Sequence, residues 1–259
     1  MNKLYKLAKK MNNAKNNGTL IDLSETDSIK SIKEAYAFQD TITDISGMKI
    51  SGWKVGATST KAQKELNATE PVTAPVFEEY IFRSPVDFKL PVNQNINIEC
   101  EFAFKFNNKI PPKNEIYSLN EILSKIESVI PVIEIIGTRY KSGFQNIGPI
   151  KLISDMVIHV ALIKGENYKK WQDVNFKEHK VSLFQNGTKI VDGIGSEVLG
   201  SPLNVLEWSV NHLSKYKKTI NKGDIITTGT CTGITPVIQG DSIIADFYEL
   251  GKIKLNIVK

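Results

Sequence analysis

Between residues 96 and 106, INIECEFAFKF, side chains alternate with a period of two, which predicts a β-strand. Ile96, Ile98, Cys100, Phe102, Phe104 and Phe106 fall on one face, and Asn97, Glu99, Glu101, Ala103 and Lys105 on the other. The run 129–136, VIPVIEII, has no polar face, so it predicts a strand covered on both sides. Helical spacing predicts one helix over 3–13 and a second after Asp27 or Ser28, with Ile29, Ile32, Tyr36 and Ile42 on one side. One or two strands are expected over 47–59, and a short helix over 119–127. The stretch 153–165, ISDMVIHVALIKG, fits either a strand or a helix.

Later elements carry clearer punctuation. Asn186-Gly187 marks a type I′ hairpin within 180–193. Ser201 and Pro202 cap and open a helix whose Leu203, Leu206, Val210 and Leu213 share a face. Short strands follow in 221–230, 238–247 and 250–259. The pattern is a mixed α/β chain, with a main domain over 46–259 and a helical segment over 1–45.

Composition narrows the function classes. At 41% hydrophobic and 24% charged over 259 residues, the chain reads as an ordinary globular protein. No apolar run has the roughly 18–20 residues of a membrane span. The N-terminal stretch lacks the apolar core of a secretory signal, and a cytoplasmic location is expected. The net charge of +5 is carried by scattered lysines, with Arg83 and Arg139 the only arginines. A nucleic-acid surface concentrates its charge and favours arginine, so neither nucleic acid nor membrane is expected as a partner. Two cysteines, Cys100 and Cys231, give no metal spacing and no disulfide framework.

The chemistry concentrates in a few acids and one lysine. Glu99 and Glu101 share a strand face, about 6.5–7 Å apart at their Cα atoms. They either face water or share a cation. Glu134 lies inside the wholly apolar run, where an ionised carboxylate needs a compensating partner. That partner is either a Lys or Arg or, if Glu99 and Glu101 converge with it, a hard cation such as Mg²⁺ or Mn²⁺. Lys54, between glycines in GWKVG, is either a snorkelling surface residue or a placed cation. The TTGTCTG segment, 227–233, suits a carboxylate or phosphate, or is a plain turn. His159 reads as a core residue, and His179 and His212 as surface ones.

The order of these pieces along the chain is more specific than any one of them. EAYAFQD, GWKVGATSTKAQKELNATEP, ECEFAF, PVIEIIGTR, GSEVLGSPLNVLEW and GDIITTGTCTGITPVIQGDSIIADF occur in that sequence. Together, from about residue 30 onward, they resemble the 2-keto-4-pentenoate hydratase family of the fumarylacetoacetate hydrolase superfamily. The resemblance implies a β-sandwich roll surrounded by helices, and a divalent metal, Mg²⁺ or Mn²⁺, on Glu99, Glu101 and Glu134. It implies Lys54 as the catalytic residue and Thr228, Gly229 and Thr230 as the segment that meets the substrate carboxylate. The implied reaction is addition of water to a 2-hydroxydienoate or 2-oxo-enoate, giving a 4-hydroxy-2-oxo acid, within aromatic catabolism and in a homo-oligomer. The alternatives are a decarboxylase or isomerase of a related 2-oxo dicarboxylate, or a non-catalytic 2-oxo-acid-binding or assembly protein. Gly137 and Met156 replace an Asp and an Asn of the resembling pattern, and Ser201 an Asp, His or Asn. Gly137 and Met156 are expected close to the metal pocket, making it less polar.

Overall fold

The computed structural model describes residues 3–91 and 95–259; Met1 and Asn2 of the N-terminal stretch lie outside them. In chain order the elements are α1 (Lys3–Asn17), α2 (Ile32–Ser46), β1 (Ile50–Gly56), α3 (Thr60–Leu66), β2 (Val72–Phe77), β3 (Ile81–Arg83) and β4 (Val86–Lys89). Then come β5 (Asn97–Phe106), α4 (Leu119–Leu123), β6 (Ile126–Ile136), α5 (Gly148–Ser154), β7 (His159–Lys164), β8 (Lys180–Gln185) and β9 (Thr188–Ile194). The chain closes with α6 (Pro202–Lys215), β10 (Ile225–Thr230), β11 (Thr235–Pro236), β12 (Ser242–Asp246) and β13 (Lys252–Val258).

Among the described residues the strands form two sheets. The larger has eight strands in the order β2-β1-β10-β5-β6-β7-β3, with β11 on β5; the smaller has five, β4-β13-β12-β8-β9. The period-two pattern of β5 explains how they pack. Its aromatic face, with Phe102, Phe104 and Phe106, joins Val181, Leu183, Ile243, Ala245, Ile253 and Leu255 of the smaller sheet in one apolar core. Phe102 meets the rings of Phe176 and Phe247 edge-on at 5.6 and 5.5 Å. A second core lies against the other end of the large sheet. There α1, α2 and α5 pack Ala8, Met11, Phe38, Ile42 and Leu152 on Val72, Ala74 and Ile136. The fold is the mixed α/β roll that the sequence implied.

Several boundaries differ from expectation for local reasons. α2 starts after Ser31, whose hydroxyl accepts from Glu34 N at 3.2 Å. The expected cap Asp27 instead pairs with Lys151. α4 stops at Leu123 because Ile126 already pairs with Phe106 in the sheet. The ambiguous 153–165 stretch is both things: the end of α5 and then β7, joined by left-handed backbone at Met156, Val157 and Ile158. Across the hairpin, Asn186 and Gly187 take φ of 53° and 79°, as a type I′ turn requires. Neither His179 nor His212 is on the surface. His179 packs edge-on against Phe102 and His212 stacks on Trp208 at 4.4 Å.

Candidate active site

Strand register brings the acids together. On β5 and β6, Glu99 stands directly opposite Glu134; on β10 and β5, Thr230 stands opposite Glu101. Glu101 and Glu134 are fully buried, and Glu99 is half-buried. One carboxylate oxygen from each of the three lies within 4.8 Å of the others. Glu101 therefore does not face bulk water, and Glu99 faces its fellow carboxylates at the edge of a cavity.

Lys54 is 2% exposed, and its Nζ lies 3.0 Å from Glu134 Oε2. Its ammonium also donates to Val157 O at 3.1 Å. The two glycines around it let neighbours come close: a Cβ on Gly52 would lie 2.2 Å from Ile225 O, and one on Gly56 would lie 2.7 Å from Val157 Cγ1. The Val157 carbonyl is presented by the left-handed stretch, where β-branched Val157 and Ile158 have φ of 49° and 53°. Backbone of this kind costs about 1–3 kcal/mol per residue and persists only where its surroundings fix it. Here the next layer fixes it. Arg139 donates to Asp155 O at 2.8 Å, to Asp155 Oδ1 at 3.0 Å and to His159 O at 2.9 Å.

Three carboxylates facing one ammonium are not neutralised. Burial first, then mutual repulsion, pushes Glu99 and Glu101 up to about 8, with Lys54 pulling the other way. Burial likewise raises Glu134, against the pull of Lys54. Burial opposes the Lys54 charge, but Glu134, Glu99 and Glu101 together outweigh it and raise its pKa. His159 is held well below its usual range by burial and by the charges of Lys15, Lys54 and Arg139. As a neutral ring it orients Glu134, with Nδ1 2.7 Å from Oε1.

A divalent cation fits this arrangement. All the donors are hard oxygens; Glu101 Oε1 is buried without a hydrogen-bond partner among the described residues, and Glu134 Oε2 has the Lys54 ammonium beside it. Glu101 Oε2 is already held by Gly229 N at 2.8 Å. Gly229 sits at φ 92°, and a Cβ there would lie 1.8 Å from the Thr58 hydroxyl oxygen. A glycine is required at that contact.

Of this cluster, Lys54 and Glu99 border a cavity of about 630 Å³, whereas Glu101 and Glu134 lie behind its lining. Lys54, Thr58, Glu99, Gly229 and Thr230 line it. Thr228 does not: its hydroxyl is turned into the sheet and donates to Phe102 O at 3.1 Å. The sequence reading passed over Thr58, although its place in GWKVGATS, four residues after Lys54, was a usable signal. Gly137 and Met156 are not among the lining residues either. Met156 lines a small second cavity with Lys15 and Arg139, where Lys15 Nζ lies 3.7 Å from the Tyr80 ring centre.

No family model matches the chain. It is 24% identical over 226 residues to a 2-keto-4-pentenoate hydratase of Paraburkholderia xenovorans, covering 86% of this chain and 82% of that one. It is 26% identical over 240 residues to a 2-oxo-hept-4-ene-1,7-dioate hydratase of Escherichia coli, covering 88% and 87%. The resemblance read from the sequence holds. Among solved structures, a 4-oxalocrotonate decarboxylase of Pseudomonas putida complexed with magnesium and adipate superposes with a TM-score of 0.89 at 24% identity, over 98% and 97% of the two chains. The chain thus shares the fold of that decarboxylase, and the relatives matched in sequence include hydratases.

Proposed function

We propose that this protein is a divalent-metal-dependent hydratase that converts a 2-hydroxy-2,4-dienoate into a 4-hydroxy-2-oxo acid. The observation that carries this reading is the buried cluster of Glu99, Glu101 and Glu134 beside Lys54, opening onto a cavity. The three glutamates would hold Mg²⁺ or Mn²⁺. When bound, the cation would supply Lewis-acid polarisation of the substrate's C2 oxygen and carboxylate.

The chain's own residues account for the proton traffic. Ketonisation of the dienol removes the C2 hydroxyl proton and places one on C5, leaving a C3=C4 double bond conjugated to the new carbonyl. Lys54 Nζ, 3.0 Å from Glu134 Oε2, is the group placed to move that proton. Water then adds across C3=C4, hydroxyl to C4 and proton to C3, with no net redox change. Thr58 and Thr230 line the cavity beside the cluster and are assigned to the substrate carboxylate. Glu134 is kept in register by His159 and Lys54, so the cluster does not reorganise as charge moves. Residues 46–259 form the catalytic domain in this reading, and 1–45 a helical segment packed on it. A homo-oligomer in the cytoplasm belongs to the same proposal.

The test is product analysis with Mg²⁺ present. 2-Hydroxypenta-2,4-dienoate should give 4-hydroxy-2-oxopentanoate. Release of CO₂ from an unsaturated 2-oxo dicarboxylate without hydration would favour a decarboxylase. No turnover of either would favour a non-catalytic binder.

A further inference from the structure

We propose that the outward face of α1 is a docking surface for an anionic lipid bilayer, independently of the reaction that the glutamate cluster serves. Contrary to the expectation of no membrane partner, positive charge is not spread evenly over the molecule. Lys3, Lys6, Lys9, Lys10 and Lys15 are the only charged residues in 1–21, so this stretch carries the whole net charge of +5. In the rest of the chain basic and acidic residues cancel, 28 of each.

The fold turns much of this charge outward. Ala8, Met11 and Ala14 bury one side of α1 in the core that it shares with α2 and α5. On the other side Lys6, Lys9, Asn13 and Asn17 recur every three or four residues and, with Lys10 and Thr19, border one surface groove. Two of the five lysines are engaged: Lys10 pairs with Glu25 at 2.6 Å, and Lys15 lies over the Tyr80 ring. Lys3, Lys6 and Lys9 are exposed and have no ion-pair partner among the described residues. Helix stability does not account for them. Cations in the first turns oppose the helix dipole, and no acid stands in the first turn to offset them.

Charge complementarity asks for a polyanion, and the neighbouring side chains favour one kind. Residues 3–6 are all exposed, with Leu4 at 38% and Tyr5 at 42% between two lysines. At a bilayer surface a tyrosine ring settles at headgroup level, a leucine reaches the acyl boundary and lysines meet the anionic headgroups. A nucleic-acid surface would favour arginine, and α1 has none. Each lysine near an anionic leaflet is worth roughly fivefold in affinity, so three give weak, reversible and salt-sensitive docking.

The experiment is cosedimentation of the full chain with vesicles of phosphatidylcholine, alone or mixed with phosphatidylserine. It is run at about 0.1 M salt and at about 1 M, where screening is nearly complete beyond contact distance. Binding should require phosphatidylserine and disappear at the higher salt. Lys6→Gln combined with Lys9→Gln should weaken it about twenty-five-fold, at exposed positions where glutamine suits a helix about as well as lysine. No binding to the mixed vesicles overturns the proposal, as does equal binding to phosphatidylcholine alone. A folded double variant that binds like the wild type also overturns it. Should that variant fail to fold, the lipid and salt dependence of the wild type still decides. Duplex DNA that binds more tightly than the mixed vesicles at equal phosphate concentration would make this face a nucleic-acid surface instead.

Discussion

Two buried ionic clusters lie one layer apart in this molecule, and they are built to opposite rules. Around Arg139 and Asp155 one guanidinium meets one carboxylate. Asp155 Oδ2 also accepts from the Thr138 hydroxyl at 2.6 Å and from Arg139 N at 3.1 Å. Every strong group there has a partner. Burial still pushes the Asp155 carboxyl up, and Arg139 and Thr138 pull it back. Around Lys54 one ammonium faces three carboxylates; it pairs with Glu134, while Glu101 Oε1 has no hydrogen-bond partner among the described residues. The closed cluster needs nothing more and fixes the strained 156–158 backbone. The open one is short of positive charge, which marks a place for a cation. Burial alone does not distinguish structure from function; the balance of charge and donors does.

Breaking each cluster should therefore cost different things. Lys54→Arg keeps the charge but not the exchangeable proton or the shape, and kcat should fall about 10²–10⁴-fold, the worth of general acid–base catalysis. Metal binding should persist, which a metal titration of the same variant checks. Arg139→Met leaves Asp155 buried and unpaired and should cost about 3–5 kcal/mol in urea unfolding. Metal affinity measured on the folded fraction should change far less than stability does.

The pH dependence sharpens the contrast. Glu99 and Glu101 titrate near 4.5 when ordinary but near about 8 when folded without metal. Their protonated forms thus favour the folded state below about 4.5, and that contribution is lost as pH rises through about 8. The metal-free midpoint of thermal unfolding should fall across this window. Added Mg²⁺ should raise it more at pH 8 than at pH 5, because the cation needs ionised ligands. The smallest expected effect is at the cavity wall. Thr58→Val removes the hydroxyl proposed to meet the substrate carboxylate and should lower kcat/KM about tenfold or somewhat more, as for a hydrogen bond to a charged group.

Much of this was legible in the chain before any fold was known. Glu134 announced itself by standing in a strand with no polar face, and the aromatic side of 96–106 identified the core between the sheets. The alternative readings of Lys54 were separable only by tertiary structure, because snorkelling and burial look alike in a short strand between glycines. The direct opposition of Glu99 and Glu134 is a matter of register between strands, which the sequence leaves open. Least visible was the 156–158 turn. Val157 and Ile158 are poor candidates for left-handed backbone, and only the Arg139–Asp155 cluster around them makes it tenable. His179 and His212, read as surface residues, were misplaced because packing against Phe102 and Trp208 buries them, a contact the local sequence does not show.

The central claim is that Glu99, Glu101 and Glu134 form one divalent-cation site, and Mn²⁺ titration followed by electron paramagnetic resonance tests it most directly. At pH 8 the wild-type chain should bind one Mn²⁺ and quench its free signal, while Glu101→Gln and Glu134→Gln, each confirmed folded by circular dichroism, should weaken binding by at least about tenfold, in line with losing an oxygen ligand from a hard-cation site. Mn²⁺ binding that is absent in the wild type, or equally tight in folded Glu101→Gln and Glu134→Gln, would contradict it.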